Sequence, residues 1–213
     1  MSSRQVILKT LREASFLSPD KNLLSEYRHV TPMPGATREA ILVRFVQEAV
    51  ALGVHIYRPD HPSEAIRIVL EIIGNEKKIM AWDFSHILLP GLSNELEKER
   101  IKVVEELDPS IEIGITGADV ALASTGTIIL FDGGGKLSRV SLLPQKHIAI
   151  FREDQILLDF ETWVQGLAAD KMDVFRKTNS ITAISGPSRT ADIAMEQIIG
   201  MHGPGELHVI IVQ

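Results

Sequence analysis

The sequence predicts an α/β protein with a mainly parallel sheet, and three observations support this. Its 213 residues, 45% of them hydrophobic, are enough for one well-buried domain. Between residues 54 and 107, short apolar runs alternate with segments of helical spacing, which is the pattern of crossover units in a parallel sheet. Apolar runs at residues 128–131 and 207–212 add further strands.

The N-terminal part is predicted to be a helix followed by a long connection. Residues 3–16 have helical spacing, whereas residues 17–37 hold three prolines and are irregular. A connection this long inside a compact domain needs a reason. The first helix is either an arm that packs on the body or on another subunit, or a lid over the site. We therefore separate residues 1–36, a helix and its connection, from a single α/β domain at residues 37–213.

The remaining elements follow from residue spacing and from glycine or proline stops. Helices are predicted at residues 37–52, 63–73, 94–107 and 160–168, and strands at residues 54–56, 78–81, 128–131, 148–150, 181–184 and 207–212. Residues 113–119 are predicted to be a strand end that runs into a turn, and residues 132–136 a hairpin turn.

Composition excludes several classes of function. The chain has no cysteine, which removes disulfides, thiolate nucleophiles, thiolate zinc sites and cysteine-ligated iron–sulfur clusters. Any redox chemistry would therefore belong to a bound cofactor or a partner, and no cofactor is predicted. A formal charge of −6, scattered basic residues and 5% aromatics argue against nucleic-acid binding. No apolar run suits a membrane span or a signal peptide, so we expect a cytoplasmic protein.

The C-terminal signature, at residues 185–193 and 200–204, is the richest stretch of the chain. It places two Gly-Pro-type turns, hydroxyls, a guanidinium, a carboxylate and an imidazole between two apolar runs. Polar groups of this variety, where a strand gives way to a helix, are where α/β proteins hold their ligands. We therefore predict a ligand site here.

Two interpretations of the segment after Pro187 stay open. Proline starts a helix well, so we expect a helix that runs to Ile199. On the first interpretation, Ser188 or Thr190 only caps that helix. On the second, backbone N–H groups, the hydroxyls and the fork of Arg189 bind a carboxylate or a phosphate.

Two residues are candidates for catalysis. His202 sits in a tight loop between glycines and could carry a proton or donate to an oxyanion. Asp192 is the second candidate. With Ser188 they would form a hydrolytic triad, but the sequence lacks a Gly-x-Ser-x-Gly elbow. No pair of histidines has the spacing that places two imidazoles on one helical face, so no metal site is predicted.

Small residues recur in two earlier turns, at residues 116–119 and 125–127. Glycines there allow a ligand to approach the backbone, although the same pattern also suits plain turns in a crowded sheet. A third such turn at Gly186 favours one crevice lined by all three. The residues predicted to bind a ligand are therefore Thr116, Gly117, Asp119, Thr125, Gly126, Thr127, Gly186, Ser188, Arg189 and Thr190.

Five motifs occur together in an order and spacing that resemble a known family. They are Gly114–Asp119, Thr125–Thr127, Ser141–Pro144 with His147, Gly186–Ile193 and His202–Pro204. Together they look like the LUD domain, and specifically the lactate-utilisation protein C family. The resemblance covers residues 113–213. It implies a three-layer α/β/α fold similar to that of ribose-phosphate isomerase and the coenzyme A transferases.

The resemblance also implies a function. It points to a non-redox subunit that acts beside iron–sulfur partner proteins in oxidising L-lactate to pyruvate, and it brings no established catalytic residue. Relatives often carry an acidic residue at the position of Ser124, so a transferase-type carboxylate nucleophile is missing here. Two alternatives stay open: a stand-alone transferase or isomerase acting on an acyl or phosphate ester, and a purely structural assembly protein.

Overall fold

A computed structural model describes residues 3–14, 32–104, 108, 110–191 and 197–213, without the side chains of residues 11–14, 191 and 197. The chain divides into two units, Met1–Val30 and Thr31–Gln213. The described part of the first unit is helix α1 (Ser3–Ala14), which agrees with the helix predicted there. Most of the connection predicted at residues 17–37 lies outside the described residues, so its role as an arm or a lid stays a prediction.

The second unit holds the other described elements. Its helices are α2 (Arg38–Ala51), α3 (Pro62–Ile73), α4 (Leu92–Lys98), α5 (Arg139–Leu142), α6 (Phe160–Ala169) and α7 (Val174–Lys177). Its strands are β1 (His55–Tyr57), β2 (Lys78–Ala81), β3 (Lys102–Val103), β4 (Ile113–Thr116), β5 (Val120–Leu122), β6 (Thr127–Phe131), β7 (Lys146–Arg152), β8 (Ile156–Leu157), β9 (Ile181–Ile184), β10 (Arg189–Ala191), β11 (Gln197–Ile199) and β12 (Glu206–Val212).

A parallel sheet forms the centre of this unit. Six of the described strands pair side by side in the order β1-β12-β7-β4-β2-β3, each parallel to its neighbour. The two long central strands, β7 and β12, are buried over most of their length. Strands buried on both faces have continuous apolar sequences, and this is why both read as apolar runs. The predicted α/β class with a mainly parallel sheet is confirmed.

Helices cover both faces of this sheet. On one face, Phe45 of α2 packs edge-on against Phe151 of β7, with ring centroids 5.8 Å apart. On the same face, α5 lies close to β4 because Gly114 has no side chain: a Cβ there would lie 1.9 Å from the Val140 carbonyl oxygen. On the other face, α3 packs against β12. The sheet is therefore the middle of three layers.

Four further strands form a smaller mixed sheet, in the order β8-β5-β6-β9, which the sequence did not predict as a separate layer. The turn between β5 and β6 presses on α2. A Cβ at Gly126 would lie 2.4 Å from the backbone nitrogen of Ala49, and Gly126 has a φ of +59°. Glycine is therefore required at the turn for both space and conformation.

Capping residues explain why several helices begin where the sequence places them. The Thr37 hydroxyl accepts a hydrogen bond from the Ala40 N–H, 3.2 Å away, at the start of α2. The Asp159 carboxylate accepts from the Thr162 N–H, 2.8 Å away, at the start of α6. Both helices are confirmed within a residue or two of their predicted bounds.

The helix predicted at residues 94–107 is wrong in its second half. Helix α4 ends at Lys98, and β3 follows. The Ile101 N–H donates to the Leu96 carbonyl, 2.8 Å away, and Arg100 takes a left-handed φ of +55°. This is a Schellman ending, which usually carries glycine at the left-handed position. Here arginine occupies it, so the sequence held no stop signal.

The helix predicted from Ser188 or Thr190 to Ile199 is also wrong. The described parts of this segment are the strands β10 and β11, which pair antiparallel. Arg189 pairs with Ile199, and Thr190 pairs with Ile198. The Ser188 N–H donates to the Pro204 carbonyl, 2.8 Å away, a bond that holds the segment extended. The turn predicted at residues 132–136 is present, but it leads into α5 and not into a paired strand.

Candidate functional site

A cavity of 210 Å³ lies at the amino ends of β7 and β12. Its lining comes from residues 141–142 of α5, His147 of β7, residues 182–188, residues 202–204, and Leu207 of β12. Pockets for drug-sized ligands measure roughly 300–1,000 Å³, so this one suits a smaller molecule. The described residues that line it include no Lys, Arg, Asp or Glu. Recognition here therefore depends on hydroxyls, imidazoles and backbone groups.

His147 is buried completely and is held by its neighbour in the sheet. Its Nε2 lies 2.8 Å from Thr116 Oγ1 on β4. The Thr116 hydroxyl donates its own hydrogen to the Gly117 carbonyl, 2.7 Å away, so its oxygen must accept from His147 Nε2–H. This arrangement places the imidazole proton on Nε2 and leaves Nδ1 as an acceptor.

Nδ1 of His147 has no hydrogen-bond partner. Burial, with a smaller contribution from His208, lowers the pKa of His147 to about 3. The ring is therefore neutral at physiological pH, and Nδ1 keeps its lone pair. A buried acceptor without a partner is rare in folded proteins, which marks this atom as one that needs an explanation.

Ser188 closes the loop that carries His202. Its N–H donates to the Pro204 carbonyl at 2.8 Å, and its carbonyl accepts from the Gly200 N–H at 2.9 Å. The loop from Gly200 to Pro204 is thus fixed at both ends by one residue. A Cβ at Gly203 would lie 3.4 Å from Ser188 Cβ, an ordinary van der Waals distance, so the loop lies against Ser188. His202 is exposed and lines the cavity from this loop.

Arg189, predicted to grip an anion, instead contacts the end of α2. Its guanidinium donates to the Leu52 carbonyl, and it is not among the described residues that line the cavity. Gly186, which does line it, approaches the same helix end: a Cβ there would lie 3.0 Å from Leu52. Thr190 lies in β10 and is not among the described residues that line the cavity. Of the four residues predicted in this segment, Gly186 and Ser188 reach the cavity.

The Thr125–Thr127 turn reaches the cavity indirectly. Thr125 Oγ1 lies 2.7 Å from Thr127 Oγ1, which lies 2.8 Å from Ser185 Oγ. Ser185 lines the cavity. Three hydroxyls therefore form a chain from the turn to the lining, while Gly126 between them packs on α2.

Asp119 and Gly117 belong to the packing of the fold. One oxygen of Asp119 accepts from the Phe131 N–H at 2.8 Å, and the other pairs with Lys136 Nζ at 2.5 Å. A Cβ at Gly117 would lie 2.3 Å from the His86 carbonyl oxygen. Neither residue is among the described lining. The turn at residues 116–119 thus touches the site only through Thr116 and His147. Asp192, the second catalytic candidate, lies outside the described residues.

Sequence reasoning did not assign a ligand-binding role to His147. It predicted the strand from residue 148, two positions too late, and so placed His147 before the strand. The available signal was a lone imidazole at the start of an apolar run, Lys146–Arg152. In the part of the chain that the structure describes, no three His, Asp or Glu side chains are grouped to hold a metal ion. None of the described helices is long and apolar enough to cross a membrane.

Comparison with known proteins places this fold and these motifs in a family. The sequence pattern that defines the LUD domain matches residues 42–212. The chain belongs to the LUD-domain family. The LUD-domain chain is 40% identical over 186 residues to a lactate utilization protein C from Deinococcus radiodurans, covering 85% of this chain and 84% of that protein. A lactate utilization protein C from an Exiguobacterium species is 29% identical over 220 residues, with 98% and 93% covered.

A solved structure supports the same assignment. The crystal structure of a DUF162 family protein from Deinococcus radiodurans superposes on this LUD-domain protein with a TM-score of 0.64, at 27% sequence identity. The superposition covers 84% of this chain and 99% of that one. The resemblance to the lactate-utilisation protein C family, first suggested by five short motifs, is thereby confirmed.

Proposed function

We propose that this LUD-domain protein is a non-redox component of an L-lactate utilisation system, that it acts in the cytoplasm beside iron–sulfur partner proteins, and that its cavity binds a small carboxylate. Two relatives covered over most of their length are named lactate utilization protein C, which supports the pathway. The chain has no cysteine to ligate a cluster, which supports a partner as the carrier of electrons.

The cavity is the observation that carries the ligand part of this proposal. Its 210 Å³ is the space of about seven water molecules at roughly 30 Å³ each, which suits an acid of a few carbon atoms. Ser185, Ser188 and His202 bring hydroxyl and imidazole donors to its lining. Such neutral donors can bind a carboxylate, though more weakly than an arginine fork would.

Deletion of the gene followed by complementation tests the proposal. We expect the deletion strain to grow on glucose and to fail on L-lactate, and the wild-type gene to restore growth. His202→Ala should restore it only partly, because a donor at the cavity is lost. His61→Ala is the matched control, since His61 is an exposed histidine away from the cavity. Normal growth of the deletion strain on L-lactate would refute the proposed function.

A second candidate function, an assembly protein, is favoured by exposed apolar side chains beside the cavity. Leu142, Leu143, Ile199 and Met201 are 40%, 57%, 60% and 58% exposed. Apolar side chains exposed together often mark a protein interface. If this surface holds a partner, Ile199→Lys should reduce co-purification of iron–sulfur proteins while His202→Ala leaves it unchanged. Unchanged co-purification with Ile199→Lys would exclude this surface as the interface.

A further inference from the structure

We infer that the free edge of β9 is a docking site for an extended, uncharged segment of a partner protein, which adds to the smaller sheet as a further strand and enters the cavity beside it. This inference goes beyond the proposed function, because it concerns backbone groups of the chain and not the identity of a small carboxylate. Docking occurs through hydrogen bonds and packing, so no covalent bond is made or broken.

The cavity lies along the edge of β9 and not on one of its faces. Successive side chains of a strand point to opposite faces of a sheet, so a space on one face touches every second residue. Thr182, Ala183 and Ile184 nevertheless all line the cavity, one after another. Among the described strands, β9 is the last in the order β8-β5-β6-β9 and pairs on one side, with β6. The cavity therefore adjoins the side of β9 that no described strand occupies.

Hydrogen bonds on the far side of β6 determine which backbone groups of β9 are free. The Ile129 carbonyl accepts from the Asp119 N–H at 2.9 Å, and the Phe131 N–H donates to the Asp119 carboxylate at 2.8 Å. Ile129 and Phe131 therefore point these backbone groups away from β9. Because the directions alternate along an antiparallel strand, Leu130 is the residue between them that bonds to β9.

The register then leaves the backbone of Ala183 unpaired. Ala183 lies opposite Ile129, and Thr182 lies opposite Leu130. Thr182 therefore exchanges hydrogen bonds with β6, whereas the N–H and C=O of Ala183 point to the free edge. No described residue gives either group a hydrogen-bond partner, and Ala183 is exposed. A donor and an acceptor side by side are matched by another extended backbone, whereas a carboxylate offers acceptors alone.

β9 also lacks the features that protect the other edges of the two larger sheets. Edge strands are commonly very short or carry lysine or proline. β3 and β8 have two residues each, Lys102 lies in β3, and Arg58 and Pro59 follow β1. β9 has four residues, Ile181–Ile184, and none of them is charged or a proline. An edge of this kind is a template for pairing with another polypeptide segment.

The cavity indicates what kind of segment fits. Its described lining includes no charged side chain, while Leu142, Pro204 and Leu207 give it apolar walls. A charged side chain placed there would lose its water without gaining a partner, so the segment should be uncharged opposite Ala183. The 210 Å³ of space suits one short extended segment, because a second copy of the chain would need an interface of roughly 1,200–2,000 Å².

Proline at position 183 tests the free edge directly. Proline has no N–H and is tolerated in edge strands where that group would face outward. Ala183→Pro should therefore keep the fold and remove the donor that the segment needs. Thr182→Pro is the matched control, since it removes an N–H that bonds to β6 and should lower the free energy of unfolding much more. Equal losses in urea unfolding would overturn the assignment of the free edge.

Fluorescence polarisation with a defined peptide tests docking on the full-length protein. The probe is a short fluorescein-labelled peptide of alternating valine and threonine, blocked at both ends. We expect it to bind, and Ala183→Pro to weaken binding roughly tenfold, the change that one lost hydrogen bond gives. The same peptide with an aspartate at its centre should bind more weakly. A peptide with every backbone nitrogen methylated should not bind, because it has no donor for the Ala183 carbonyl.

The inference would be overturned by no binding of the probe at millimolar concentration, by equal binding of the methylated or the aspartate peptide, or by unchanged affinity in a folded Ala183→Pro protein. A dimer in sedimentation that Ala183→Pro dissociates would also overturn it, because a second copy would then occupy the edge. If Ala183→Pro does not fold, hydrogen exchange of the wild type decides. The Ala183 amide should exchange fast in the free protein and more slowly with the probe bound, and a rate that the probe leaves unchanged would reject the docking site.

Discussion

Acid should destabilise this protein through His147, and the size of the effect follows from the structure. The pKa of His147 is lowered from 6.5 to about 3 by burial, so the unfolded chain binds a proton at a pH where the folded protein does not. Its contribution to stability is therefore complete above pH 6.5 and is lost as the pH falls towards 3. Each pH unit in that window corresponds to about 1.4 kcal/mol, so about 3 kcal/mol is lost at about pH 4.5.

The assay compares the wild type with His147→Gln. Glutamine can keep the hydrogen bond to Thr116 but has no titrating group. Urea unfolding, followed by circular dichroism at about pH 7.5 and about pH 4.5, gives the free energy of unfolding at each pH. Other groups also titrate in this range, among them His208, whose pKa burial lowers. They titrate in both proteins, so the difference between the two losses isolates His147.

We expect the wild type to lose about 3 kcal/mol more than His147→Gln between the two pH values. An equal loss in the two proteins would refute the reasoning. It would mean that His147 takes up a proton as readily in the folded state as in the unfolded chain. In that case His147 would not be a buried neutral imidazole in the folded protein.

Three further predictions concern residues near the site. Gly126→Ala should lower the free energy of unfolding by about 2 kcal/mol or more, because the new Cβ would meet the backbone of α2; an unchanged urea midpoint would contradict this. Arg189→Ala should cost about 1 kcal/mol through its lost bond to Leu52 and leave lactate affinity within about twofold, as measured by calorimetry. A large loss of affinity would instead place Arg189 at the ligand. Asp119→Asn should cost about 2 kcal/mol by weakening the pair with Lys136, measured by thermal unfolding; a protein as stable as the wild type would contradict this.

Two matched controls accompany these variants. Gly166→Ala places a methyl group in helix α6 where no atom lies within 4 Å, so it should stabilise the protein slightly. Asp173→Asn removes an ion pair with Lys177 on the surface, where the lysine side chain is 74% exposed, and it should change stability little. Gly166→Ala is matched to Gly126→Ala, and Asp173→Asn to Asp119→Asn. If a control lost as much stability as its matched variant, the contacts described above would not be the cause of the variant's loss.

The sequence predicted the elements whose signals are local. Alternating apolar runs indicated the parallel sheet, and apolar spacing indicated α2, whose start Thr37 caps within one turn. The hairpin β10–β11 could not be predicted in this way. Its extended form depends on the bond from Ser188 to Pro204, and Arg189 contacts Leu52 from 137 residues away. Partners so distant leave no spacing pattern in the chain.

Only part of the candidate site was predicted, because some of its contacts also join residues that are distant in the chain. Gly186, Ser188 and His202 were chosen from the motif, and all three line the cavity. Arg189 was chosen for its chemistry, but its guanidinium meets a helix end. His147 was not chosen, because its importance lies in a nitrogen without a partner, and that is a property of the packed sheet.

The double attachment of the loop at Ser188 has a practical consequence for engineering. Since both ends of the loop are fastened to one residue, we expect that its two exposed positions, 201 and 202, can be randomised without disturbing the strands on either side. Position 203 lies against Ser188, where a Cβ would make an ordinary van der Waals contact at 3.4 Å. A library restricted to these two positions would test whether the loop contributes to binding of the proposed carboxylate on a constant scaffold.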